Sequence, residues 1–432
     1  MTLDAAGDFH HGAIDPGTHV FVHPTRKFKT TTVKLIQVAD LDAHTAARAL
    51  VPAILRRGSV AHPSMAAVSR ALEELFGASF GYEVQKFGER HVAAFRMDLV
   101  NERFLPHAGA LLPRGLELMA EVLHRPLLED GGFRADFVEQ EKVNQVRAIE
   151  AVFDDKIAFA RQRLVEEMFR GEPFARHELG SVAEVKVLDR KALLNTYRHE
   201  RRTCPIDIYF VGDLEPGHAV ELAQQLLPAG RAAQLLVPAA ASSRQVANER
   251  LITEQQEIAQ SKLVLGCRVD MDDLSERAYF ALGVYNAILG VGSHSKLFKQ
   301  VREKHSLAYY ASSSLDRLVG AVFISCGINA SNFERALDIT RAQLGAVSEG
   351  QFDDEEMAAA RKLIVNRLRS IGDEAGPIID FFNGYRLNGR HYALRQVIDG
   401  IEGVTRADVV AAGERVSVDT VYFLKGLLEH AA

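Results

Sequence analysis

The chain has 432 residues, of which 47% are hydrophobic and 25% charged, with a formal net charge of -6. This is too long for one ordinary core and fits two domains of roughly 200 residues each. The basic residues are scattered rather than gathered into a phosphate-gripping stripe, and no run of about 18 apolar residues occurs, so neither a nucleic-acid partner nor a membrane span is expected.

Met1 to Gly17 is acidic and His-containing, without the basic-then-apolar pattern of a leader, which points to a cytoplasmic location. His10-His11 offers only adventitious metal contact. The stretch from Thr18 to His23 alternates as a strand does, placing His19 and His23 at a surface or edge. Thr30 to Val38 reads as a second strand, and Arg48 to Ser59 as an apolar helix carrying no metal ligand on any face. An amphipathic helix around Arg114 follows, then Phe133 opens a charged helix, and Asp189 stands as the N-cap of a helix leading into the strand Asp207 to Gly212. From Pro228 to Gln245 the composition shifts to Pro, Gly, Ala and Ser without periodicity.

Beyond that shift the same order recurs. Ile258 to Cys267 resembles the strand Thr30 to Val38, and the helix ending at Ile288-Leu289 and Gly292-Ser293 resembles the one ending at Ile54-Leu55 and Gly58-Ser59. Arg335-Ala-Leu-Asp-Ile answers Arg114-Gly-Leu-Glu-Leu, Phe352 answers Phe133, and Thr420 to Gly426, after an N-cap at Thr405 backed by Asp408, answers Asp207 to Gly212. An internal duplication follows. The expected fold is α+β, with two homologous domains at 1-228 and 249-432 joined by a linker at 229-248, each a mostly antiparallel sheet packed with helices on one face. Cys204, Cys267 and Cys326 stand singly and read as buried structural thiols.

The most informative segment is Leu289 to Ser314. Gly290 and Gly292 give a turn into a helix starting at Ser293 to Ser295, whose Leu297, Phe298 and Val301 recur at helical spacing. Arg302 closes that face and Tyr309 lies seven residues on. A guanidinium fork and a phenol presented together could bind a carbonyl or carboxylate of an extended peptide; a solvated helix Arg and a packed strand aromatic are the plainer alternative. Ser293-x-x-Lys296 matches a serine acyl-enzyme string without its companion motifs, and Gly290-x-Gly292 lacks the third glycine of a dinucleotide turn.

The string from Leu297 to Tyr310 resembles the second-domain signature of the pitrilysin-type M16 zinc-peptidase family, in which an Arg and a Tyr seven apart contact substrate near the zinc; Arg302 and Tyr309 hold those positions. The resemblance extends over nearly the whole chain through the duplicated architecture. It implies that the HxxEH metal motif of active members falls here on Ala49, Pro52 and Ala53, with Ala49 and Ala53 at the two His positions and Pro52 at the general-base Glu. Glu141 keeps an accessory position, and the distal ligand position falls on Ala148. Phe28-Lys-Thr-Thr, Ala46 to Pro52 and Asp154 to Lys156 look like the family's branch of metal-less bacterial subunits. The resemblance therefore implies no cofactor in this chain, zinc in an HxxEH-bearing M16 partner subunit, a peptide substrate, a homodimer when isolated as a further possibility, and Arg302, Tyr309, Gly290 and Gly292 in contact with substrate. A scaffolding pseudo-peptidase is the rival reading.

Overall fold

The computed structural model describes residues 4-106, 109-227, 231-234, 246 and 248-428. Two compact units emerge: one of Met1–Ala151, Arg176–Ala239 and Gly372–Ala393, the other of Val152–Ala175, Ala240–Ile371 and Leu394–Ala432. Most of the expected linker at 229-248 lies outside the described residues. The units are not the two linear halves of the chain, because each takes in a short segment from the other half.

The first unit is built on a seven-stranded mixed sheet. Asp4–Ala6, Phe9–Asp15 and Thr18–Pro24 run antiparallel in turn from one edge. Thr18–Pro24 then pairs parallel with Ile206–Gly212, which is antiparallel to Thr30–Asp40. Thr30–Asp40 pairs antiparallel with Arg90–Val100, and the edge strand Ser79–Phe87 completes the sheet. Because successive side chains alternate between faces, Val33 and Leu35 enter one core with Leu50 and Ile54 of helix Thr45–Arg56, Leu116 and Met119 of helix Leu111–His124, and Leu193 of helix Arg190–Thr203. Ile36 and Val38 enter a second core on the opposite face, with Phe9, Phe21 and Tyr209, closed by Ile379 and Phe382 of helix Ala375–Leu387.

In the second unit five strands repeat that plan. Arg250–Gln256 lies parallel to Val416–Gly426, which is antiparallel to Ser261–Val269; Ala321–Ile328 and the edge strand Ala308–Asp316 follow, both antiparallel. This order and these directions match Thr18–Pro24, Ile206–Gly212, Thr30–Asp40, Arg90–Val100 and Ser79–Phe87 one for one. One face of this sheet, with Val264, Phe323 and Tyr422, is covered by Ala160, Leu164 and Met168 of helix Lys156–Met168. Helix Glu276–Gly290 lies against the edge strand, where Ser313 Oγ donates to Asn286 Oδ1 at 2.8 Å.

Each sheet is thus covered on both faces, which corrects the expectation of helices on one face. Every residue of Ile206–Gly212 and of Ser261–Val269 is buried, as a strand must be when both faces are packed. The second-face helices Lys156–Met168 and Ala375–Leu387 each follow a long charged helix, Ala135–Asp154 or Asp354–Ile371, and each belongs to the unit built from the other half of the sequence. The anticipated caps form: Asp189 accepts from the Lys191 and Ala192 amides, and Thr405 and Asp408 make a capping box.

Candidate functional site

Helix Thr45–Arg56 carries Ala49, Pro52 and Ala53, the positions that the resemblance gives to the metal donors and the general base. Ala49 and Ala53 are 4% and 9% exposed and Pro52 is buried. None has a side-chain donor atom, and Pro52 lacks even a backbone N–H. Ala148 is exposed on helix Ala135–Asp154. These residues do not fit a metal ion. Around them, polar side chains tie the helix in place. Gln145 Nε2 donates to the Ala46 carbonyl at 3.0 Å and the Leu179 carbonyl at 2.7 Å, and Glu141 pairs with Arg57. Arg48 forks onto Asp42, 2.9 Å at each oxygen, and pairs with Glu200, whose carboxyl burial pushes up. The accessory carboxylate Glu141 is therefore engaged in a structural ion pair.

The histidines depart from the edge reading. Thr18–Pro24 is paired on both sides, and His19 Nδ1 lies 2.9 Å from His11 Nε2, with the His11 ring stacked on Phe21. Burial first, then His19, lowers the His11 pKa to about 4. Nothing in the local sequence signals this pair: the hairpin register sets His11 opposite Phe21 and His19 opposite Ala13, so the two imidazoles meet diagonally across the ladder.

In the second unit the helix begins at Lys296 rather than at Ser293, with Ser295 Oγ donating to the Gly292 carbonyl at 2.8 Å. Phe298–Lys304 takes the wider π winding, a local irregularity found often at functional sites. Leu297 and Val301 are fully buried while Arg302 is exposed, its Cζ 4.8 Å from the Phe298 ring centroid. After His305 the chain turns through Ser306 at φ 50° and enters the edge strand. There the pairing slips: Ala308 faces Ile328 and Tyr310 faces Gly327, so Tyr309 is the extra residue of a β-bulge and has no partner across the ladder. It is 64% exposed. Arg302 and Tyr309 are thus presented to solvent from two consecutive elements of one unit.

The glycines divide. Gly292 has φ +85°, a left-handed conformation just past the helix end that glycine adopts without strain. Gly290 is buried, and a Cβ there would lie 2.5 Å from both the amide nitrogen and the Oγ of Ser313. Close packing of helix on strand is reason enough for a glycine at 290. Lys296 is engaged by Glu356 at 2.9 Å, so the Ser293-x-x-Lys296 string supplies no free base.

A scan of family models matches residues 191–364 to the Peptidase M16 inactive domain. The chain is 33% identical over 411 residues to the probable inactive metalloprotease YmfF of Bacillus subtilis, covering 95% of this chain and 96% of that one. It is 25% identical over 315 residues to an uncharacterized zinc protease of Mycobacterium bovis, covering 71% and 70%. Among solved structures, a conserved protein from Enterococcus faecalis superposes with a TM-score of 0.89 at 27% identity, over 98% of this chain and all of that one. A peptidase M16 inactive domain from Pseudomonas fluorescens shares the fold, with a TM-score of 0.80 at 19% identity over 98% and 100%.

Proposed function

The chain belongs to the M16 peptidase family, and from that membership we propose that it is a non-catalytic, substrate-contacting subunit of a heterodimeric M16 metallopeptidase acting on peptides. The observation that carries this reading is the exposure of Arg302 on a π-wound turn and of Tyr309 in an edge-strand bulge. Both irregularities interrupt regular hydrogen bonding, and neither side chain is held in the core. A peptide lying along Ala308–Asp316 would extend the sheet by main-chain pairing. The Arg302 fork and Tyr309 hydroxyl would then donate to its carbonyls and, beside a partner's zinc, stabilise charge developing on the scissile oxygen. With Ala49, Pro52, Ala53 and Ala148 at the expected donor positions, the metal and general base would come from the HxxEH-bearing partner. The B. subtilis relative, described as probably inactive, supports the non-catalytic half of this reading. No helix among the described residues is long and apolar enough to cross a membrane; a cytoplasmic location belongs to the proposal.

Zinc content and peptidase activity of the purified chain, alone and mixed with the HxxEH-bearing product of a neighbouring gene, test it. Cleavage only in the mixture, with zinc tracking the partner, is the expected result. Stoichiometric zinc and cleavage by this chain alone would sink the proposal, and a stable but inactive mixture would favour a scaffold.

A further inference from the structure

One face of the second sheet holds two cations without a carboxylate partner. Lys262 is 7% exposed, and its ammonium donates to Gln260 Oε1 and lies 5.9 Å from the Tyr310 ring centroid. Arg161, from helix Lys156–Met168, lies over the Phe323 ring and reaches Ser314 Oγ at 3.4 Å. Neither forms an ion pair among the described residues; Asp155 and Asp316 act on Lys262 and Arg161 only through space, and burial lowers both pKa values, that of Arg161 to about 9. Burying a cation without a counter-ion is costly, so a fold that keeps two of them on one face of a sheet is short of an anion.

The register places these groups on one surface. Tyr310, Gly327 and Lys262 lie abreast across three strands, then Ser312, Ser325 and Val264, then Ser314, Phe323 and Gly266. The row of Lys262 and the row of Phe323 are thus roughly 13 Å apart at about 3.3 Å per residue, and the row between them carries two hydroxyls. Ser312 and Ser314 are exposed, so the surface is open at the sheet edge where Tyr309 stands.

We propose that this face binds a carboxylate, the free C-terminus of a peptide lying along Ala308–Asp316. The inference rests on the peptide-contact reading above and narrows it. The substrate class becomes short peptides with a free α-carboxylate, placed about five residues, or roughly 17 Å, beyond the segment held at Tyr309. Arg161 supplies the fork to the carboxylate, with the Ser314 hydroxyl beside it; Lys262, roughly 13 Å back along the face, adds positive charge only at a distance, with Ser312 between them.

Fluorescence anisotropy on the full chain tests this with one labelled decapeptide in three forms: free acid, C-terminal amide, and amide ending in Asp. The free acid is expected to bind on the order of tenfold tighter than the amide. Arg161→Gln should erase most of that difference and Lys262→Met a smaller part of it, while amide binding stays unchanged. Neither variant should lower Tm, since each removes an uncompensated charge; a drop of several degrees would give the cations a structural role and overturn the proposal. Equal binding of acid and amide overturns it too, and if Tyr309→Ala still weakens both forms, the peptide reading survives alone. An Asp-ended amide that matches the free acid overturns the C-terminal assignment in favour of acidic side chains. If no peptide binds, the underlying reading fails, and N-acetylglycine against N-acetylglycinamide decides the anion site. A thermal shift from the acid only, lost in Arg161→Gln, retains the site, and no shift removes it.

Discussion

Arg386 forks onto Asp207, with Nε 2.6 Å from Oδ2 and Nη2 2.8 Å from Oδ1, in a pair whose side chains are 10% and 2% exposed. The guanidinium also lies 4.8 Å from the Phe21 ring centroid, and one helical turn away Asn383 Oδ1 accepts from the Tyr209 hydroxyl at 3.2 Å. These contacts fasten helix Ala375–Leu387 to the first sheet, although the helix comes from late in the chain.

Breaking this pair leaves a charge buried without a partner. Arg386→Met should therefore destabilise the first unit by roughly 3–5 kcal/mol in urea unfolding, while Arg386→Met with Asp207→Leu should recover most of the loss. A double variant no more stable than the single one would show that the pair does more than neutralise itself.

The histidines of the first unit predict a pH dependence. His91 Nε2 donates to the Glu178 carbonyl, 3.1 Å away, and His124 Nε2 to the Leu226 carbonyl, 2.9 Å away; burial lowers each pKa to about 4. The unfolded chain takes up these protons near pH 6.5 and the folded chain only near 4. Below pH 6.5 the unfolded state thus binds more protons, so stability falls as pH drops and levels off below about 4. Each residue contributes a slope of about 1.4 kcal/mol per pH unit within that window. Urea midpoints at pH 7, 5.5 and 4.5 check this, and His124→Gln should flatten the slope; an unchanged slope would remove His124 from the account.

Gly290→Ala should cost roughly 1–3 kcal/mol, because the new methyl meets the Ser313 backbone amide, which cannot swing aside as a side-chain tip could. Gly290→Ala paired with Ser313→Gly relieves only the Oγ contact and should recover little. A Gly290→Ala variant with wild-type Tm would remove packing as the reason for this glycine.

Much of this architecture is legible in local pattern. The strands themselves, the caps at Asp189 and Thr405, and the absence of donor side chains at Ala49, Pro52 and Ala53 all rest on signals within a dozen residues. What escapes the sequence depends on distant partners. The second-face helices Lys156–Met168 and Ala375–Leu387 pack on sheets made largely from the other half, and no period records that choice, though the unbroken apolar run Ile206–Gly212 already asks for cover on both faces. Likewise, Arg302 and Tyr309 are legible as residues, but not the π winding and bulge that turn them outward, since helical spacing of Leu297 and Val301 reads the same in either winding.

Those two irregularities carry the last prediction. Arg302 and Tyr309 are exposed, and neither fills the core, so Arg302→Ala and Tyr309→Phe should leave Tm within about a degree and leave the complex intact by size-exclusion chromatography. If they donate to the peptide carbonyl as charge develops on it, turnover by the mixed complex should fall about a hundredfold for Arg302→Ala. Tyr309→Phe removes a single hydroxyl donor and should cost on the order of tenfold. The loss should appear in kcat as well as KM, because a donor that strengthens in the transition state is not a uniform binding contact. Unchanged kcat and KM in both variants, with assembly intact, would strip both residues of the substrate role and leave the chain as a scaffold.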